Sequence, residues 1–596
     1  MSANKTKIPK LLATVLTTLA ANLTQETTNG DSTYGTLNAT TFPKFMTNNP
    51  LPDGYPWGPL NATNANPYKD APYTGVVRKY NWNIARKVLA PDGVQKEMIV
   101  VNEQFPGPTI EANWGDWIEV AVTNQLEDEG TAIHYHGLLQ KATPWFDGVP
   151  SVQQCPIAPN TTLTYRFRAD IYGTSWWHSH YSAQYAGGLL GPMIIYGPNH
   201  LNGTHDYDID LGPVFLTDWY HSEYFDIVKN VMSTSLTTIL AAGISQNNLI
   251  NGKMNFDCNQ TNLTCTPNAG ISKFKFTPGK KHRLRIINAG AEGQQKFSID
   301  EHNLTVIAHD FVPVQPYTVN MVSLGIGQRV DVVVDAQGEK SEYFMRSHIE
   351  TDCTNSNQPD ALAAIYYGNS TQTALPTSTP QPDTITDCHD AAYPLQSTIP
   401  IYQITPPEPD KIHTIEITIS QNATGFWLWH MNDVSFRANF NDPVLLLANK
   451  GNFTYPQNWN VYNSGTAKNI RVILKNTSAA RHPMHLHGHN MHLLAEGTGD
   501  WDNSTIINAS NPARRDTFMI KNNGYYVIQQ YEADNPGVWP FHCHIAWHVS
   551  AGLYVNMMER PSDIESMHIP QIMHQTCRDW WAFTNTTIIE QIDSGL

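Results

Sequence analysis

Tyr526–His544 reads YVIQQYEADNPGVWPFHCH. A β-branched and aromatic run, YVIQQYEA, stops at the turn signal Asp534-Asn535-Pro536-Gly537. An aromatic cluster then leads into His542-Cys543-His544. This is the pattern of a strand, a turn and a second strand. The layout recurs at Thr164–His180, TYRFRADIYGTSWWHSH, which also ends in His-x-His. It recurs again at Arg329–His348, RVDVVVDAQGEKSEYFMRSH, which ends in a lone histidine. Further alternating runs such as HRLRII and NIRVILKN are punctuated by Gly, Pro and Asn, and helical patterns are few and short. The chain therefore reads as all-β, of sandwich or barrel type, with three related domains of which the first and third carry metal ligands.

The Pro/Thr-rich stretches place the boundaries near residues 210 and 390, giving domains at 71–210, 211–390 and 391–596. The segment Ala374–Pro407 reads as the linker before the third domain. Residues 1–21, with Lys5, Lys7 and Lys10 before a mildly apolar run, read as a signal peptide, and 22–70 as an N-terminal extension. Sequons at Asn160, Asn202, Asn303, Asn422, Asn452 and Asn585 fit passage through a glycosylating pathway, so the protein is expected to be a secreted glycoprotein. No later segment is apolar enough to cross a bilayer, so no membrane is expected as a partner. The net charge of -16 with 37 Lys+Arg and no basic run argues against nucleic acid. A monomer is expected.

Successive side chains of a strand point to opposite faces, so each His-x-His presents both rings to one side. There are four such pairs: His134/His136, His178/His180, His485/His487 and His542/His544. Eight imidazoles exceed what one metal uses and suit a cluster of about three coppers. Cys543 faces away from its two neighbours. With His482 and His548 it forms the two-imidazole, one-thiolate set of a blue copper. The axial methionine common in such sites would be sought ten residues beyond Cys543, where Leu553 stands. A single His-x-His is more often a surface or hydrogen-bonded pair than a ligand pair. Four of them together with HPMHLHG and HCHIAWH are not. His489, His492 and His348 lack matching partners and are read as packing or hydrogen-bonded residues.

Of the 7 cysteines, Cys543 is the odd one, held for the metal. The remaining six can pair as Cys155–Cys577, Cys258–Cys265 and Cys353–Cys388, although spacing alone does not fix connectivity. Asp147, in WFDGVP, follows the first His-x-His and is placed to relay protons, but Asp-Gly is also an ordinary turn. Asp534 is a weaker candidate for the same role, because Asp-Asn-Pro-Gly is a turn signal in itself. Trp427 and Trp429, in GFWLWH, are candidate pocket walls or plain core.

HYHG, WHSH, HPMHLHG and HCHIAWHVSAGL are similar, in order and spacing, to the four copper motifs of the multicopper oxidase family. From NPYKDAP through GTSWWHSHYSAQY to the final DSGL, the chain resembles ascomycete fungal laccases, with Tyr135 where many relatives have tryptophan. The resemblance implies three cupredoxin-like Greek-key domains and four copper ions. His134 and His485 would hold the type 2 ion. His136, His178 and His544 would hold one type 3 ion, and His180, His487 and His542 the other. His482, Cys543 and His548 would hold the type 1 ion. It further implies that Glu292, in NAGAEGQQKF, lines the substrate pocket and takes the proton of a phenol, and that Asp593–Leu596 plugs a channel towards the oxygen site. The activity implied is one-electron oxidation of phenols coupled to reduction of dioxygen to water, including oxidative coupling in pigment or secondary-metabolite formation. A ferrous-iron oxidase of the same family, or a copper carrier without catalysis, are the alternatives.

Overall fold

A computed structural model describes residues 57–198, 207–368, 370, 372–385 and 395–596. The expected signal peptide, the extension as far as residue 56, Asn202 and Cys388 lie outside the described residues.

The described residues form six sheets, which fall into three consecutive pairs. The first pair joins the sheet containing Val77–Leu89 and Trp117–Asn124 to one built from Ile110–Asn113, Leu190–Tyr196, Gly173–Ser179 and Ile133–Tyr135. The second pair runs from Ile209–Trp219 to Asp360–Tyr367, and the third from Lys411–Gln421 to Tyr554–Glu559. Strand Ile209–Trp219 thus begins just before the boundary expected near 210. Alternation sets the faces: in Trp117–Asn124 every second residue is buried, so Ile118, Val120 and Val122 enter the core. Gly537–Cys543 is buried at every position, as a strand covered on both faces must be. The middle pair has its own apolar core around Val214, Phe297 and Val332. The first and third pairs share one continuous core, in which Trp176 and Trp177 join Phe541 and Cys543. The metal motifs therefore meet inside an apolar continuum rather than on a surface.

Helices are few, as expected; the longest among the described residues is Gln571–Thr584. Cys577 on this helix is bonded to Cys155, 422 residues away, and Cys258 is bonded to Cys265. Replacing Cys155 and Cys577 by alanine is expected to cost about 2–5 kcal/mol, because the bridge closes a very long loop of the unfolded chain. The thermal midpoint should fall by several degrees. An unchanged midpoint would mean that packing of Trp580 and Met573 secures the helix unaided.

Candidate metal centre

Strand His482–Leu486 lies between Thr517–Ile520 and Gly537–Cys543, with His485 opposite His542 and Met484 opposite Cys543. In the first pair of sheets Ile133–Tyr135 runs against Gly173–Ser179, with His134 opposite His178. These two registers bring all eight imidazoles of the His-x-His pairs together between the first and third pairs of sheets. Each of the eight is 4 % exposed or less.

The rings are oriented by their outer nitrogens. Nδ1 of His134 bonds the Asp147 carbonyl at 2.7 Å, Nδ1 of His178 the Ser179 carbonyl at 2.9 Å, and Nδ1 of His542 the Cys543 carbonyl at 2.7 Å. Nδ1 of His485 bonds the Asp516 carbonyl at 2.9 Å, and Nδ1 of His487 donates to Asp147 Oδ2 at 2.8 Å. Such bonds fix the tautomer and leave Nε2 as the free donor atom. Nε2 of His134, His178, His180 and His485 are buried with no hydrogen-bond partner. His136 is turned the other way. Its Nε2 faces Asp516 Oδ1 at 3.2 Å, and its Nδ1 faces Nε2 of His544 at 3.2 Å. Burial holds His136, His178, His180, His485, His487 and His544 well below the usual histidine range, so these rings are neutral with lone pairs available.

His180, His487 and His542 converge as one set, with His487 and His542 Nε2 atoms 3.0 Å apart. His134 and His485 also converge, joined by His487. The set His136, His178 and His544 is looser: ring centroids of His178 and His544 are 5.2 Å apart, and His136 and His178 gather with His134. The fourth set is compact. His482 and His548 Nδ1 atoms are 3.1 Å apart, and each lies 3.5 Å from Cys543 Sγ. Burial pushes the Cys543 thiol up, so only a bound metal would hold it as thiolate. Leu553, fully buried, hydrogen-bonds its carbonyl to Cys543 N and supplies no axial donor. Neutral imidazoles with unpartnered ring nitrogens beside a buried thiol are the donor set that copper takes, so the residues fit the ions expected.

A cavity of about 480 Å³ opens above this trio, lined by His548, Glu292, Trp427, Trp429 and Trp547. Trp429 also packs on His482 and His548, at 4.7 and 4.5 Å between ring centroids. Both tryptophans of GFWLWH are thus walls of the cavity. Backbone N–H groups of Ala291, Glu292 and Gly293 donate to Asp218 at 2.6–2.8 Å, which aims the Glu292 side chain inward. Glu292 Oε2 has no hydrogen-bond partner, and burial, with Asp218 adding to it, pushes the carboxyl up to about 8.

The two aspartates part company. Asp147 touches His134 and His487 directly, so it is more than a turn residue, even though Gly148 beside it has φ +89° and leaves no room for a Cβ against the Ile133 carbonyl. Asp534 instead pairs with Lys141 Nζ at 2.9 Å, near the surface, and no hydrogen bond joins it to a histidine. Its turn directs the carboxylate to that lysine. His489 is buried against Glu559 and the His487 carbonyl, and His348 pairs with Asp360. Asp593, Ser594 and Leu596 are buried, and Leu596 walls a void of about 20 Å³ against His178, His180, His542 and His544.

Sequence reasoning missed Asp516. Its carboxylate takes both Nη atoms of Arg329 at 2.6 Å and faces His136. Asp516 stands behind two arginines in ARRDTF, and nothing local indicates that its partner lies 187 residues earlier.

Multicopper oxidase family models match residues 83–200, 210–370 and 429–563. The chain is 39% identical to oxidoreductase OpS5 of Beauveria bassiana over 88% of its own length and 89% of the relative's. The chain belongs to the multicopper oxidase family. Laccase-2 of Botryotinia fuckeliana is 37% identical to this multicopper oxidase, over 91% of this chain and 92% of that one. The crystal structure of the laccase from Botrytis aclada superposes with a TM-score of 0.82 at 35% identity, covering 91% of this chain and 98% of that one. The oxidase is therefore of the fungal laccase type, its domains are cupredoxin-like β-sandwiches, and its cofactor is copper. No helix among the described residues is long and apolar enough to cross a membrane.

Proposed function

We propose that this laccase is a secreted monomer that oxidises phenols at the cavity above Cys543 and reduces dioxygen at the histidine cluster. His482, Cys543 and His548 would hold type 1 copper. His134 and His485 would hold type 2. His136, His178 and His544, and His180, His487 and His542, would hold the type 3 pair. Bound copper would supply one-electron acceptance at the sulfur and storage of the four electrons that turn one dioxygen into two waters. The observation that carries the reading is the compact Cys543 trio on the floor of a cavity that also holds an unpartnered carboxylate oxygen.

The chain's own residues do the rest. A phenol loses a proton as it loses an electron, and Glu292 Oε2 is the open acceptor for it. Trp427, Trp429 and Trp547 hold the ring against His548 and keep water out. Cys543 is covalently continuous with His542 and His544, so one short stretch of backbone joins the two centres. Asp147 holds His134 and His487 in the tautomers that free their Nε2 atoms, and is placed to carry protons inward. The disulfides Cys155–Cys577 and Cys258–Cys265 and the sequons support passage through an oxidising, glycosylating compartment.

Oxygen uptake with a simple diphenol, beside ferrous iron, on protein of measured copper content tests this. Faster iron oxidation would favour the metallo-oxidase, for which Glu292 and Asp352 are the carboxylates lining the cavity. No uptake by fully loaded protein would favour the carrier.

Glu292→Gln is expected to lower kcat/KM for phenols by about tenfold or more. The carboxyl must be ionised to accept a proton, and burial places that step at about 8. The wild-type rate should therefore climb as pH rises towards 8, and the variant should lose that limb. Ferrocyanide, which sheds no proton, is the control: an equal loss there would mean that Glu292 acts on the metal site rather than on the phenol.

A further inference from the structure

The cavity above Cys543 is larger than a single-ring phenol needs. Its volume of about 480 Å³ is some three times the roughly 150 Å³ that houses one benzene ring. It lies within the range that buries most of a drug-sized aromatic ligand. Its polarity is divided. Glu292 and His548 lie deep at the inner end, indole rings line the walls, and the exposed Asp352 and Asn355 and the half-buried Asn522 stand at the rim.

The wall facing the tryptophans is unusual. Helix Leu236–Ala242, LTTILAA, has no buried residue. Its N-terminus is capped by Ser235 Oγ, which accepts from Thr238 N at 3.3 Å. Leu236, Ile239 and Leu240 all line the cavity, yet Leu236 is 47% and Leu240 61% exposed. The next residue, Gly243, lies so close to Glu292 Oε2 that a Cβ there would come within 2.4 Å of it. One short helix therefore runs from the proton acceptor towards the cavity mouth, and among the described residues nothing covers the outer parts of Leu236 and Leu240. Burying such surface is favourable, so whatever occupies the outer half of the cavity gains by being apolar and flat.

We propose that the cavity selects phenols built of two or three fused or directly linked aromatic rings. The reacting hydroxyl sits at Glu292 and His548, and the distal ring lies on Leu236 and Leu240. Asp352, Asn355 and Asn522 at the rim meet a second hydroxyl or carbonyl on that distal ring. The proposal rests on the reading of this cavity as the phenol site. In the reaction the O–H bond breaks, its proton passes to Glu292 Oε2 and one electron leaves for the oxidase, with dioxygen as final acceptor. The aryloxyl radical departs.

The copper-loaded protein is assayed with a naphthol and a methoxyphenol of matched one-electron potential. The wild type is expected to favour the naphthol by at least tenfold in kcat/KM. Leu236→Ser/Leu240→Ser should lose at least fivefold more on the naphthol than on the methoxyphenol, chiefly through KM, with copper content and blue absorption retained. An absence of ring-size preference in the wild type, or an equal loss on both substrates, overturns the proposal. Redox-inert 2-naphthoate and benzoate, used as inhibitors, repeat the comparison without a variant. At least tenfold tighter inhibition by naphthoate is expected, and equal inhibition overturns the proposal. Glu292→Gln run in parallel separates the two readings. Loss on both substrates beside a failed ring-size comparison sinks this proposal alone, whereas no loss on either sinks the phenol reading with it.

Discussion

Cys543→Ser is expected to abolish the intense blue thiolate-to-copper absorption, remove one copper per chain and reduce phenol turnover to that of metal-free protein. Cys543 is the one free cysteine among the described residues, and it is fully buried. Its sulfur stands 3.5 Å from each of two imidazole nitrogens and accepts from Ile545 N at 3.4 Å. A serine hydroxyl fits the same space but is a hard, neutral donor, and copper in a trigonal two-imidazole site needs the soft thiolate. The eight imidazoles of the other cluster do not touch the substituted sulfur, so their copper should remain, visible by metal counting and electron paramagnetic resonance. The thermal midpoint should change little, because volume is nearly conserved. A variant that stays blue would remove Cys543 from the metal site altogether.

Arg329→Met is the second large effect, and it acts from the pair of sheets that bears no His-x-His. Arg329 is fully buried. It holds both carboxylate oxygens of Asp516 and donates Nε to the Thr174 carbonyl at 3.0 Å, tying all three pairs of sheets at one point. Removing one partner of a buried pair leaves an uncompensated charge, at a cost of about 3–5 kcal/mol. Asp516 already lies near the buried Asp310, which itself holds Arg515, so without Arg329 the Asp516 carboxyl would take up a proton. A protonated Asp516 would no longer orient His136 through Nε2. The expected result is a lower thermal midpoint and substoichiometric copper in the histidine cluster, with the blue band less affected. Arg329→Lys should recover only part of either, since a point charge does not replace the two-pronged guanidinium. Full copper and an unchanged midpoint in Arg329→Met would sink this account.

The histidine and cysteine clusters were legible because their geometry is local. A period of two sends His542 and His544 to one side and Cys543 to the other, whatever the rest of the chain does. The all-β class was legible for the same reason, in runs such as RVDVVVDA. What the sequence could not show depends on long-range approach. Asp147 and Asp534 both sit in turn motifs, and only the docking of His487 on one and of Lys141 on the other separates them. The Arg329–Asp516 pair and the cradle that Asp218 makes for the Glu292 loop join positions far apart in the chain. Helix Leu236–Ala242 was missed because it is only seven residues long: the i, i+3, i+4 spacing of Leu236, Ile239 and Leu240 spans barely one turn, too short to stand out as a helix, and those side chains face a cavity rather than a core. Cys155–Cys577 and Cys258–Cys265 are present as paired.

Gly327, in the turn that leads to Arg329, has φ +83°, and a Cβ there would come within 2.9 Å of His544 Cδ2 and 3.0 Å of His136 Cε1. The middle of the chain, which bears no His-x-His pair, thus acts as a spacer gauge for the histidine cluster. Anyone building chimaeras, importing a different central segment to change the phenol accepted, inherits that tolerance. A graft that brings a bulkier residue than glycine to this bend would push the two imidazoles apart, and a change made for substrate choice would surface as defective metallation.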